Sequence, residues 1–239
     1  MKDLWVFGYG SLMWRPGFAH DRAARAQLRG HSRAFCIYSV HHRGTAARPG
    51  LVLGLDRGGV CDGVAFRVPA ARVADTLGYL REREQVTGVY RETLCAVRLT
   101  GGIGPQEGPD ASAGTPGEVA ALVFLVERAH PQYAGPLPLN AQAQLIRGAV
   151  GISGRNLDYL VSTLAHLREL GISEPSLERL STIAGGHRVR PLPPTAVHHP
   201  APVSSRVGGG LLPFGPKLNA DLMHRFMYRR HLMSRAATD

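Results

Sequence analysis

Leu4-Trp5-Val6-Phe7-Gly8-Tyr9-Gly10-Ser11-Leu12-Met13-Trp14 carries the chain from an apolar, β-forming run straight into a glycine loop. A strand that ends this way points to a sheet whose loops present backbone N–H groups at one end. The spacing excludes the common nucleotide motifs. Met13 stands where a dinucleotide fingerprint needs its third glycine, and no Gly-Lys-Ser/Thr follows for a P-loop. Ser11 lacks the Gly-x-Ser-x-Gly spacing of a nucleophile elbow. What remains is either a tight turn or a loop able to hold a carboxylate or a developing oxyanion.

Working outward, short β-like runs fill the first two-thirds of the chain. Phe35–Val40, Leu51–Leu53, Val64–Val68, Leu94–Leu99 and Ala120–Val126 join Leu4–Phe7 to give about six strands. The Gly- and Pro-rich stretch Gly101–Gly117 reads as a long, exposed hairpin loop. Helices are expected over Ala70–Gln85, Asn140–Val150 and Asn156–Leu170. The last carries an apolar stripe of Leu157, Leu160, Val161, Leu164 and Leu167, with Gly171 at its C′ position. Strands grouped early, without strict βαβ alternation, argue for an α+β domain built as a small barrel flanked by helices.

Composition narrows the function classes. In 239 residues, 44% hydrophobic and 19% charged side chains exclude wholesale disorder. No uninterrupted apolar run of about 18 residues is present, so no membrane-spanning helix is expected. The first residues lack a long apolar h-region, which predicts a cytoplasmic protein without a signal peptide. The net charge of +10 would suit nucleic acid, but the basic residues are scattered and, apart from Lys2 and Lys217, all arginine. Neither a nucleic-acid nor a membrane partner is expected. Cys36, Cys61 and Cys95 lie far apart with no CxxC, and the pairs His41-His42 and His198-His199 point in divergent directions, so no metal centre is expected. From about residue 185 to 239 the chain turns Pro- and Gly-rich and basic. It reads as an extension carrying one short helix over Leu218–Met233.

One carboxylate stands out. At about 100° per residue, with Val73 as zero, Leu77, Leu80 and Glu84 all fall within about 40° of Val73, whereas Glu82 falls near 180°. A core-facing carboxylate is costly unless paired or put to use, and burial raises its pKa. Arg33, Arg81 and Arg91 are the candidate partners if Glu84 is merely structural.

These motifs together resemble the ChaC family of glutathione-specific γ-glutamylcyclotransferases. The resemblance opens on Trp5–Leu12 and continues through Arg33–Cys36, Ser39–Thr45, Gly50–Leu55, Gly63–Phe66, Tyr79-Leu80 with Arg83-Glu84, and Tyr133–Leu137. Gly151, then Gly154-Arg155-Asn156-Leu157-Asp158-Tyr159-Leu160, complete it. It spans roughly residues 4–182, placing a catalytic domain at 1–184 and leaving 185–239 outside. It implies a γ-glutamylcyclotransferase-like mixed β-barrel with flanking helices and Glu84 as catalytic acid/base. It also implies a substrate loop made of Gly8, Tyr9, Gly10, Ser11, Leu12 and Met13, with glutathione as the small-molecule substrate. No cofactor or metal is implied, because the substrate's own α-amine attacks its γ-carbonyl. Other γ-glutamyl peptides or amines as substrates, or a non-catalytic γ-glutamyl-binding regulator, are the alternatives.

The helical phase yields a direct test. Glu84→Gln should abolish 5-oxoproline formation in a folded protein, because Gln keeps the volume and removes the proton acceptor. Glu82→Gln should stay within about twofold of the wild type. Comparable losses from both would contradict the assignment of helix faces.

Overall fold

The computed structural model describes residues 2–84, 87–102 and 117–185. Five strands form a closed barrel: β1 (Leu4–Gly8), β2 (Arg22–Ser39), β3 (Gly50–Val68), β4 (Tyr90–Gly102) and β5 (Glu118–Val126). Their order around the barrel is β1-β3-β2-β4-β5. Every neighbouring pair is antiparallel except the one that seals the barrel, where β1 lies parallel to β5 with Trp5 opposite Ala121 and Val6 opposite Leu122. Closure joins the two ends of the sheet, although β2 meets β4 only over Ala24–Leu28.

The strands are longer than the β-forming runs suggest. The runs at 51–53 and 64–68 are the two ends of one 19-residue strand, β3. Between them Asp56, Gly58, Gly59, Asp62 and Gly63 dilute the β signal, yet the register to β2 continues from Gly50 to Arg67, broken by bulges. β2 begins thirteen residues before the Phe35 run, at Arg22. Its early half buries Ala24, Ala26 and Leu28 at every second position, an alternating pattern with alanine as its apolar member. The stretch Ala121–Val126 of β5 is buried at every residue, as a strand covered on both faces must be.

Helix α1 (Val73–Glu84) enters through Pro69 and a 3-10 turn at Ala70–Arg72. It turns Val73 and Leu80 onto Val6, Leu12, Val68, Leu122 and Phe124. Helix α2 (Leu139–Gly148) precedes a two-stranded ribbon, β6 (Val150–Gly151) and β7 (Gly154–Arg155). Helix α3 (Asn156–Glu169) buries Leu160, Leu164 and Leu167 of the expected stripe, together with Asn156 and Thr163. Its end follows the expected pattern. Gly171 takes φ +64° and donates to the Arg168 carbonyl at 2.9 Å, while Ile172 N–H reaches Leu167 at 2.8 Å. A fourth helix, α4 (Pro175–Ile183), was not legible as a separate element; it starts on a proline and buries Leu177 and Leu180.

None of the described helices is long and apolar enough to cross a membrane. Most of the expected hairpin loop (103–116), His198-His199 and the expected Leu218–Met233 helix lie outside the described residues.

Two glycines give opposite predictions. A Cβ on Gly63 would sit 2.4 Å from the Gly8 carbonyl oxygen and 2.6 Å from the Phe7 ring, both held by the β1–β3 pairing. Gly63→Ala should cost about 1–3 kcal/mol by overpacking. Gly78 is exposed in α1 with open space around it. Gly78→Ala should stabilise by about 0.5–1 kcal/mol through helix propensity. Urea unfolding of both variants reads the two signs, and a shift in the same direction for both would contradict the packing account.

Candidate active site

The glycine loop leaves β1 at Gly8 and folds at once into a 3-10 turn, Ser11–Met13, with Met13 N–H donating to the Gly10 carbonyl at 2.9 Å. Gly8 allows that turn to fold back, since a Cβ there would lie 3.1 Å from the Leu12 Cβ and 3.2 Å from the Met13 nitrogen.

Two arginines hold the loop from opposite sides. Arg33 of β2 is buried, its side chain 0% exposed. It donates to the Tyr9 carbonyl at 2.6 Å and the Asp62 carbonyl at 2.5 Å, and pairs with the Glu174 carboxylate. Burial pushes the Glu174 carboxyl up while the Arg33 charge pulls it down. Arg83 of α1 reaches the loop from the helix. Its guanidinium donates to Ser11 Oγ, to the Arg15 carbonyl and to the Tyr79 hydroxyl, each at 2.8 Å.

Glu84, the last residue of α1, lies one turn beyond Leu80 and aims into a cavity of about 50 Å3. The wall comprises Tyr9, Gly10, Ser11, Leu12, Leu53, Glu84, Tyr90, Phe124 and Tyr159. The Glu84 side chain is 18% exposed, and Arg83 Nε stands 3.1 Å from its Oε1. Burial raises the carboxyl above its ordinary value, and the adjacent Arg83 only partly offsets this. Glu82, two residues earlier, is exposed.

The carboxylate therefore has an arginine partner, but not one of those anticipated from the sequence. Arg33 pairs with Glu174, Arg81 with Glu92 at 2.8 Å, and Arg91 with Glu127 at 3.8 Å. A neighbour in sequence takes the role because both side chains leave the last turn of α1, where no long-range contact is needed.

Three phenols share the cavity. Burial pushes Tyr9 and Tyr90 well above the ordinary phenol value and Tyr159 up to about 12, and the Glu84 charge adds to each rise. All three stay neutral at physiological pH and act as hydrogen-bonding groups. Tyr90 donates to the Leu53 carbonyl at 2.7 Å.

Of the loop residues singled out above, Tyr9, Gly10, Ser11 and Leu12 line the cavity. Gly8 and Met13 stand behind it. Gly8 ends β1, and Met13 is buried with its Sδ 3.9 Å from Arg33. Leu53, Tyr90, Phe124 and Tyr159 join the wall without having been marked for it. Leu53 and Tyr159 lay within the Gly50–Leu55 and Gly154–Leu160 motifs; Tyr90 and Phe124 carry no local signal, since only barrel closure brings them to the wall. Cys36 and Cys61 are buried thiols pushed up to about 12 by burial, outside the cavity wall. Among the described residues no three His, Cys, Asp or Glu side chains gather as a metal site.

Comparison with known proteins agrees with this geometry. The chain is 36% identical over 177 residues to the glutathione-specific gamma-glutamylcyclotransferase of Escherichia coli (strain K12), covering 74% of this chain and 71% of that protein. It is 37% identical over 184 residues to glutathione-specific gamma-glutamylcyclotransferase 1 of Homo sapiens, covering 76% and 77%. The fold matches the crystal structure of a gamma-glutamyl cyclotransferase specific to glutathione from yeast. That match has a TM-score of 0.65 and 23% identity, over 79% of this chain and 100% of that one. A family model described as ChaC-like protein matches residues 4–184. With that match, the barrel and the relatives in hand, the chain belongs to the ChaC-like protein family.

Proposed function

We propose that the chain is a γ-glutamylcyclotransferase that converts glutathione to 5-oxoproline and Cys-Gly, with Glu84 as its proton carrier. The observation that carries this reading is a half-buried carboxyl, its pKa raised by desolvation, in the wall of a cavity lined by the glycine loop.

The chemistry needs one group that takes a proton and returns it. The Glu84 carboxylate accepts a proton from the substrate α-ammonium, freeing the nitrogen lone pair. That nitrogen attacks the γ-carbonyl carbon, a C–N bond forms, and the carbonyl electrons move to oxygen. Loop N–H groups and the Tyr159 hydroxyl are donors that the cavity wall offers to this oxyanion. Collapse breaks the bond to the cysteine nitrogen, which leaves with the proton held by Glu84; the regenerated carboxylate takes the second proton from the attacking nitrogen and passes it on, giving the neutral lactam and the ammonium of Cys-Gly. Atoms balance without water, cofactor or enzyme nucleophile. A carboxyl raised towards neutrality suits both halves of this relay better than an ordinary one. The loop, fixed by Arg33 and Arg83, would hold the substrate folded for attack, the positional part of catalysis.

The same reading makes residues 1–184 the catalytic unit and 185–239 an extension; the family match over 4–184 supports it. It also places the enzyme in the cytosol, where a reducing pool suits three free cysteines.

Incubation of the purified chain with glutathione should give 5-oxoproline and Cys-Gly in equal amounts, with slower turnover of γ-glutamyl-alanine. A protein with all three cysteines changed to Ala should retain the reaction, since the substrate supplies its own nucleophile. No 5-oxoproline from the folded wild type would overturn the proposal.

Glu84 also makes a prediction about stability. Its folded pKa lies above the ordinary 4.5, so the folded state holds that proton more tightly than the unfolded chain. The stability this contributes is present below 4.5 and lost as pH rises through the folded value. Glu84→Gln has nothing to lose in that window. The variant should match the wild type at acid pH and be the more stable of the two at neutral pH, as read from denaturant midpoints. A wild type that gains on the variant as pH rises would reverse the sign.

A further inference from the structure

We propose that Arg43 is a specificity residue that binds the C-terminal carboxylate of the peptide substrate. The inference rests on the cyclotransferase reading above and deepens it.

A glutathione-like substrate brings two carboxylates, yet the only ionised side chain in the cavity wall is the acidic Glu84. Cations must therefore come from just behind the wall. The guanidinium groups of Arg33, Arg83 and Arg43 contact wall residues. Arg33 is fully committed to Tyr9, Asp62 and Glu174. Arg83 is committed to Ser11, Arg15, Tyr79 and Glu84.

Arg43 differs. It lies in the loop between β2 and β3, and its backbone N–H is pinned by Ser39 Oγ at 2.9 Å. Its guanidinium carbon stands 5.2 Å from the centroid of the Tyr159 ring. Only Nη1 has protein partners among the described residues, the carbonyls of Ser153 and Arg155 in the β6–β7 ribbon. A guanidinium carries five donors in a rigid fork, so Nε and Nη2 keep donors for a carboxylate. Stacking on the ring and anchoring through Nη1 fix that fork in advance.

Reach decides which carboxylate it meets. Glu84 must touch the α-amine, so the α-amino-acid end of the substrate lies by Glu84. The scissile bond is followed by two residues, which span roughly 7 Å when extended. Tyr159 lines the cavity and Arg43 lies across the same ring, one phenol away from it. In this proposal the terminal carboxylate lies at the edge of the Tyr159 ring, beside the Arg43 fork.

The test compares glutathione with its glycine ethyl ester on the wild type and on Arg43→Gln, following 5-oxoproline. The wild type should show a KM about tenfold higher for the ester, the size of one charge-assisted hydrogen bond. Arg43→Gln should raise KM for glutathione by about tenfold, leave KM for the ester unchanged, and keep kcat within about twofold. Equal KM values for the two substrates on the wild type would overturn the inference. So would a variant that loses both substrates alike, which would assign Arg43 to the α-carboxylate or to structure. If the variant does not fold, product inhibition of the wild type decides the matter. Cys-Gly should inhibit about tenfold better than its C-terminal amide, and equal inhibition overturns the assignment. A wild type that forms no 5-oxoproline overturns the activity itself, which is a distinct outcome.

Discussion

The buried Arg33 guanidinium is the constraint on which the site depends. A cation with no solvent exposure is tolerable only when every strong donor finds an acceptor. Here those acceptors come from three separated parts of the chain: the Tyr9 carbonyl after β1, the Asp62 carbonyl in β3, and the Glu174 carboxylate just before α4. Each acceptor would itself be left poorly satisfied without the arginine. The arrangement adds little net stability, since desolvation of both charges opposes their attraction. Its effect is on uniqueness, because the loop has one position in which all the groups are paired.

Arg83 complements it from the other side. It binds Ser11 and the Arg15 carbonyl on the loop, Tyr79 one turn back on its own helix, and Glu84 beside it. One side chain thereby sets both the loop's outer half and the carboxyl that faces it. The pairing is not strong enough to cancel the desolvation of Glu84, so the carboxyl stays raised. The residue is held in place without being fully neutralised, which is what the proposed proton relay requires.

Local patterns made some of this legible in the sequence and left the rest hidden. The phase of α1 was readable because Val73, Leu80 and Glu84 obey the helical period, and burial of the first two forces the third towards the core. The glycine loop was readable because its residue types admit few other conformations. The extent of β2 and β3 was not. Alanine at 24 and 26 is a weak strand former, and Gly58-Gly59 imitates a chain reversal where the pair in fact continues through a bulge. Helix α4 was hidden because it is short and follows closely on α3. Tyr90 and Phe124 were invisible as cavity residues, since their roles arise from strand neighbours far away in the chain. The Arg33–Glu174 pair was out of reach for the same reason.

The parallel β1–β5 seam has a consequence for how the molecule comes into being. Trp5 pairs with Arg67 of β3 on one side and with Ala121 of β5 on the other, so β1 can dock on β3 early but the barrel closes only once its last strand is made. The β2–β3 and β4–β5 hairpins can assemble sooner, from contacts nearer in sequence, with a smaller entropic penalty for closing the intervening chain. On the ribosome, β1 therefore emerges early, while the wall that closes beside it is completed late. The candidate cavity, whose wall includes Phe124 of β5 and Tyr159 of α3, is then among the last features to exist, so a nascent or partly assembled chain lacks it.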